Sequence, residues 1–307
     1  MDATIKRGGG YAKQRRNKLL FYISLVGLPS LQFVIFYIIV NFNSIALAFQ
    51  SYDSDNAVYF FYGFENIKQV FVNFSTQSFL PAAVKNSLIC YSFTLLVGIP
   101  LAIIFSYYIY KKSFFSGGFK VFLFMPQIVS ALVFALIFRF FTDNAIPQFV
   151  EMFTGEEADG LLSLPETRFG TVLFYTLWAG FGTQVLMYSG TMSGISDSVI
   201  EAGQLDGINS FQELIYIVVP MIFPTITTFI VVGFSGIFIN QMNLYAFFGT
   251  KAEYADYTLG YYMYSAATEA GPAELPYLSA FGLVMTLFAA PLTLGLRWAL
   301  NKLGEKF

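Results

Sequence analysis

Residues 198–220 read SVIEAGQLDGINSFQELIYIVVP, a polar segment set between two long apolar runs. Ser198 and Glu201 fit the pattern S-x-x-E, in which an N-cap hydroxyl and a carboxylate three residues on satisfy free N–H groups at a helix start. Ser210 and Glu213 repeat that pattern. Gly207 lies between the two, where a helix C-terminus favours a residue that tolerates positive φ. The stretch therefore predicts two short helices joined at a glycine bend. Phe211, Leu214, Ile215 and Val218 follow the spacing i, i+3, i+4, i+7, which gives the second helix one apolar face. Pro220 disfavours the α conformation at Val219, so a break is expected there before the next helix.

The flanks make this a membrane protein. Of 307 residues, 56% are hydrophobic and only 12% charged, with a mean hydropathy of +0.61, whereas soluble domains are about a quarter charged. A net charge of −2 indicates no polyanion partner such as nucleic acid. The chain has no His, which excludes His-based acid–base chemistry, His metal ligands and His pH sensing. The single cysteine, Cys90, has no intrachain disulfide partner. The first apolar run is long enough to span and reads as a retained helix, not a cleaved leader.

Residues 1–18 are polar and basic, with a Gly8-Gly9-Gly10 run, and are expected to form a flexible tail. Leu19–Val40 is the first span, close to the ~20 apolar residues a crossing needs. Residues 50–83 carry Asp53, Asp55, Glu65 and many aromatics, as an interfacial external loop would. Further spans are expected at Ser87–Tyr110, softened by Gly98 and Pro100, and at Val121–Phe138, around Pro126-Gln127. After an acidic loop over 139–168 come Thr171–Met192, Met221–Met242 and, beyond a Tyr-rich loop, Pro276–Trp298. The fold class is thus an all-α integral membrane protein of six transmembrane helices. A six-helix domain over 19–303 lies between a tail at 1–18 and a short tail at 304–307. The loop over 193–220 falls between helices four and five.

Orientation follows from the basic residues. Lys6, Arg7, Lys13, Arg15, Arg16, Lys18, Lys111, Lys112, Lys120, Arg297, Lys302 and Lys306 lie on the side of the termini; Lys68, Lys85, Arg139, Arg168 and Lys251 lie on the other. That excess places both termini in the cytoplasm, and the 193–220 loop with them. The loop breaks the trend, carrying Asp197, Glu201, Asp206 and Glu213 but no Lys or Arg from 198 to 220. A basic partner surface explains this; so does the tolerance of acids inside, which that rule does not count.

No G-x-x-x-x-G-K-[ST] phosphate loop occurs, so ATP is not held by that device. No predicted span contains Asp, Glu or Lys, and intramembrane ionisable groups mark proton and ion pathways. That argues against a proton-coupled carrier. The spans hold neutral polarity instead: Gln127, Thr176, Trp178, Thr183, Gln184, Tyr188, Ser235, Asn240 and Gln241. Amides and ring faces suit a neutral polyol, although the same groups also bind membrane helices to one another.

The polar stretch resembles the cytoplasmic loop of bacterial ABC-importer permeases, whose pattern is E-A-A-x-x-x-G, a spacer and I-x-L-P. Glu201, Ala202, Gly203, Asp206, Gly207, Phe211, Ile217, Val219 and Pro220 occupy it; Gly203 replaces the second Ala and Val219 the Leu. Gly203 should loosen the first helix by about 1 kcal/mol. The resemblance implies a coupling helix docked in a cleft of a cytoplasmic ATPase, with Glu201, Ala202, Gly203, Asp206, Gly207, Phe211 and Pro220 as coupling residues. From Leu19 to Leu303 the chain is also similar to the carbohydrate type, and to the sugar-binding permease of the maltose system. By that resemblance Trp178, Gly180 and Asn240 match positions lining the sugar site. Thr176 and Thr183 occupy equivalent positions, and Gly233 and Gly236 stand where larger residues contact the sugar. The resemblance further implies half of a translocation pore for a sugar or oligosaccharide in the bacterial inner membrane. Its partners are a second permease, two copies of the ATPase and an external solute-binding protein, with ATP and Mg on the ATPase and no cofactor on this chain. The alternatives are a permease for another neutral solute and a non-transport membrane scaffold.

Overall fold

The computed structural model describes residues 8–305, with the side chains of 14–305. Lys6, Arg7 and Lys306, counted above for orientation, lie outside the described residues, and so does the side chain of Lys13. The chain divides into two compact units, one comprising residues up to Val70 with Gly271–Leu283, the other Phe71–Ala270 with Val284 onward.

In the first unit a continuous helix runs from Gly8 to Leu47 through a π turn at Val34–Ile39. The expected flexible tail is therefore helical from Gly8. Extending an existing helix adds one hydrogen bond per residue without a new nucleation step, which offsets the poor propensity of glycine. The apolar side chains from Leu19 to Ile39 are largely exposed on this unit, as a lipid-facing helix requires. The predicted aromatic loop is ordered: strands Gln50–Asp53 and Val58–Phe61 pair antiparallel, with Tyr52 opposite Tyr59 and their rings 5.0 Å apart. The Asp53 carboxylate closes the turn, accepting from the Asp55 and Asn56 N–H groups and from Asn56 Nδ2, which holds its pKa below the usual aspartate value. Asn66 Nδ2 donates to the Ala48 and Gln50 carbonyls, tying the Glu65–Thr76 helix to this hairpin.

The second unit packs around the Pro165–Met192 helix. Ile99 and Ala102, from the helix Phe79–Tyr110, meet Val185, Tyr188 and Met192 in one apolar cluster with Leu214, Val218 and Ile222. Gly182 allows that helix to cross the Leu123–Phe124 backbone so closely that a Cβ would strike the Leu123 carbonyl. The Ser106 hydroxyl donates to the Val185 carbonyl at 3.0 Å, closing the contact with a bond between helices.

Several boundaries differ from the sequence reading. The third predicted span is a bent pair, Ser116–Ile128 and Ala131–Thr154, turned by 103° where Val129 and Ser130 leave the helical region. Much of the acidic loop is helix, as far as Thr154. The fifth span ends at Ser235, so Asn240 lies in a turn beyond it. The Tyr-rich loop contains the helix Leu259–Glu269. Helices also extend past their expected ends, bringing Lys85, Arg139, Asp143, Arg168 and Glu213 into helical segments. Among the described residues four helices are long and apolar enough to cross a membrane, or up to five with the bent pair counted. The Pro165–Met192 helix has 28 residues, so it has the length of a crossing, but its Gly, Ser and Thr make it less apolar.

The predicted break at Pro220 is absent. Val219 is α-helical (φ −59°, ψ −47°), and the helix Ser210–Ser235 continues through a π turn at Leu214–Val218. The same device recurs at Thr94–Gly98 before Pro100 and at Phe141–Ala145 before Pro147. Proline has no N–H and its ring meets the carbonyl four residues back. A turn widened by one residue moves that carbonyl aside, so the helix bends without ending.

Candidate functional site

The two short helices of the polar stretch are present, but other residues cap them. The first runs Asp197–Leu205 and starts before Ser198. Ser196 holds the N-cap position without a side-chain bond, and its hydroxyl lies 2.7 Å from that of Ser198. Glu201 is thus exposed and caps nothing by this box. The second helix starts at Ser210, with Asn209 as N-cap: Asn209 Oδ1 accepts from Gln212 N–H and Gln212 Oε1 from Asn209 N–H, both at 2.9 Å. Asn matches Ser as an N-cap, so the box was legible as N-x-x-Q.

Gly207 sits at the bend with φ +79°. Its N–H donates to the Gln204 carbonyl and that of Ile208 to the Gly203 carbonyl, the paired closure of a Schellman turn. Gly203 is buried beneath it: a Cβ there would stand 2.6 Å from Ile217 Cδ1 and 2.7 Å from Ile208 Cδ1. The glycine that costs helix propensity therefore admits two isoleucines. Around the bend, Leu205 is 89% and Phe211 72% exposed, next to exposed Glu201, Ala202 and Asp206. Of the predicted apolar face only Leu214 and Val218 are buried. Pro220 is half-buried.

Glu213 is no capping acid. It is 2% exposed, and its carboxylate accepts from Lys111 Nζ at 2.8 and 3.0 Å and from the Tyr107 hydroxyl at 3.0 Å. One acid of the base-free loop is thus neutralised within the chain by a lysine 102 residues away. No local pattern announces that pairing.

The predicted solute-site residues fall into groups. Thr176 and Asn240 converge on Met242, which is fully buried with φ 51°. Its N–H donates to Asn240 Oδ1 at 2.8 Å and its carbonyl accepts from Thr176 Oγ1 at 3.2 Å. The Asn240 amide also reaches Cys90 Sγ at 3.7 Å. Trp178 lies half-buried among Phe134, Phe138 and Phe174, with ring centroids 5.0–6.3 Å away. Gly180 and Thr183, three apart on one helix, are both exposed. Gly233 is exposed, and a Cβ there would lie 3.3 Å from the Tyr91 ring; Gly236 ends the helix Val219–Ser235. Gln127 donates to the Ala179 carbonyl. Gln184 Oε1, Tyr188 OH, Thr227 Oγ1 and Gln241 Oε1 are buried without a hydrogen-bond partner among the described residues.

At the other end of the Pro165–Met192 helix, buried Arg168 pairs with Asp256 at 3.2 Å and Glu253 at 2.7 Å and donates to the Leu162 and Ser163 carbonyls. Burial pushes the Asp256 carboxyl above the usual aspartate value, and Arg168 only partly offsets it.

Comparison with known proteins agrees with this architecture. The chain is 25% identical over 296 residues to the probable ABC transporter permease protein YurN of Bacillus subtilis, covering 91% of this chain and 95% of that one. It is 29% identical over 242 residues to the galactooligosaccharides transport system permease protein GanP of Bacillus subtilis, covering 74% and 57%. A crystal structure of a bacterial ABC transporter involved in the import of the acidic polysaccharide alginate contains a chain of the same fold, with a TM-score of 0.75 at 18% identity over 97% of this chain and 98% of that one. Residues 98–306 match the family described as binding-protein-dependent transport system inner membrane component, a family of transporter permeases, and the chain belongs to it.

Proposed function

We propose that this chain forms half of the translocation pore of an ATP-driven importer for a sugar or oligosaccharide. It crosses the inner membrane six times with both termini cytoplasmic. A second, homologous permease supplies the other half, two copies of a cytoplasmic ATPase bind ATP and Mg, and an external binding protein delivers the solute. Residues 193–220 are the coupling loop. Glu201, Ala202, Gly203, Asp206, Gly207, Phe211 and Pro220 shape it, and Thr176, Trp178, Gly180, Thr183, Gly233, Gly236 and Asn240 belong to the solute path.

The observation that carries this reading is the pairing of exposed Leu205 and Phe211 with exposed Glu201 and Asp206 around a left-handed Gly207. Apolar anchors rimmed by charge fit a protein partner with a basic rim. The solute class is supported by relatives named for galactooligosaccharides and for starch degradation products, and by the neutral side chains of Thr176, Trp178, Thr183 and Asn240. Two variants test the docking surface. Leu205→Glu with Phe211→Glu should abolish recovery of the ATPase with the tagged chain from native membranes, while the chain still inserts. Uptake of labelled maltodextrins and galactooligosaccharides, against a dipeptide control, tests the solute. Uptake of the dipeptide alone would refute the sugar assignment.

A further inference from the structure

The Glu213–Lys111 pair has a position that a merely neutralised charge does not need. Glu213 lies in the first turn of the second short helix, two residues from exposed Phe211. Lys111 follows the last residue of the helix Phe79–Tyr110, where a cation also suits the carbonyl end of the helix dipole. The Glu213 side chain is 3% exposed and that of Lys111 28%, and the carboxylate takes two bonds from one ammonium and a third from Tyr107. Separating such a pair strands a desolvated charge, so the contact resists being pulled apart. The helix that Lys111 terminates is itself fastened to the Pro165–Met192 helix by Ser106 and by the shared apolar cluster.

We propose that Glu213 and Lys111, braced by Tyr107, form a latch that passes movement of the 197–213 segment to the helix Phe79–Tyr110. The segment is otherwise joined covalently to the two helices that flank it, and its Ile200 packs in the apolar cluster that includes Ile99 and Ala102 of a third helix. The latch adds a directional polar tie to that third helix, which is remote in sequence, so that a displacement at Phe211 moves three helices together. Glu213 and Lys111 are positioning residues in this scheme. The inference rests on the reading of 197–213 as the ATPase-docking segment.

The test uses the intact importer, recovered with its ATPase from native membranes and held in lipid nanodiscs. Amide hydrogen exchange is recorded with and without Mg-ATP, which requires no knowledge of the solute. In the parent, Mg-ATP should change exchange in both 197–213 and 98–111. In Lys111→Met and in Glu213→Gln the change in 197–213 should remain and that in 98–111 should be lost. The exchanged pair, Lys111→Glu with Glu213→Lys, should restore it, and Lys111→Arg should keep it. A response in 98–111 that survives in both single variants overturns the latch and leaves docking untouched. Loss of the response in the single variants with no recovery in the exchanged pair or in Lys111→Arg also overturns it, since the residues then matter only for folding. A parent chain that recovers no ATPase removes the docking reading, and the latch falls with it.

Discussion

Asn240 and Glu201 are polar residues whose tasks can be separated by single substitutions. The Asn240 amide oxygen holds the N–H of fully buried Met242. Asn240→Ala leaves that donor unpaired, at a cost of about 1–3 kcal/mol. Asn240→Asp keeps an oxygen acceptor and should keep the turn. The expected outcome is a lower unfolding midpoint for Asn240→Ala and one near the parent for Asn240→Asp, measured on the purified chain. If both unfold like the parent while uptake falls, the amide serves the solute and not the turn. Glu201 makes the opposite case. It is exposed and outside the helix cap, so Glu201→Gln should change stability by no more than about 0.5 kcal/mol. Its expected effect is weaker association with the ATPase, read by titrating one against the other. Both tasks depend on where a helix starts or stops, and the spacing of Ser198 and Glu201 was too short a signal to settle that.

Among the elements, the three π turns set before Pro100, Pro147 and Pro220 show one way in which this chain keeps a long helix through a proline, whereas Pro126, Pro224 and Pro291 lie within α-helix. Each turn displaces the following residues by one position, which at 3.6 residues per turn is a rotation of about 100°. Pro220→Ala restores the N–H and removes the ring, so the Leu214–Val218 turn should relax to regular α-helix. Cysteine scanning from 210 to 218 should then show the accessible face shifted by one residue relative to 222–235. An unshifted pattern would place the cause of the π turn in the packing of Leu214 and Val218. Gly207→Val acts on the neighbouring element: φ of +79° is strained for a β-branched residue, by about 1–2 kcal/mol or more. Exchange of amides 203–208 should rise in that variant with the long helices unaffected. The glycine bend was legible in the sequence because the left-handed region selects glycine locally. The π turns were not, because a proline after an apolar run is compatible with an ended, a kinked or a widened helix.

At the scale of the whole chain, orientation remains the strongest consequence of charge. With the basic residues divided as above, a protease-sensitive tag within 198–213 and one after Lys306 should be cut only from the cytoplasmic side, and a tag near Glu156 only from outside. Cleavage of the 198–213 tag from outside would invert the docking surface and end the proposed coupling.

What the sequence by itself determined is what short-range chemistry decides. Long apolar runs leave water for lipid by the hydrophobic effect, and in lipid they must be helical because their backbone groups find no water to bond. A left-handed residue at position 207 requires glycine, and the spacing from Glu201 to Pro220 carries the family resemblance. The tertiary structure alone decided how distant residues share their tasks. Glu213 pairs with Lys111 across 102 residues, Gly203 makes room for Ile217, and Thr176 joins Asn240 on Met242. Each of these is fixed by which helices lie side by side, and a charge, a missing Cβ or an amide has no spacing in sequence that records its partner.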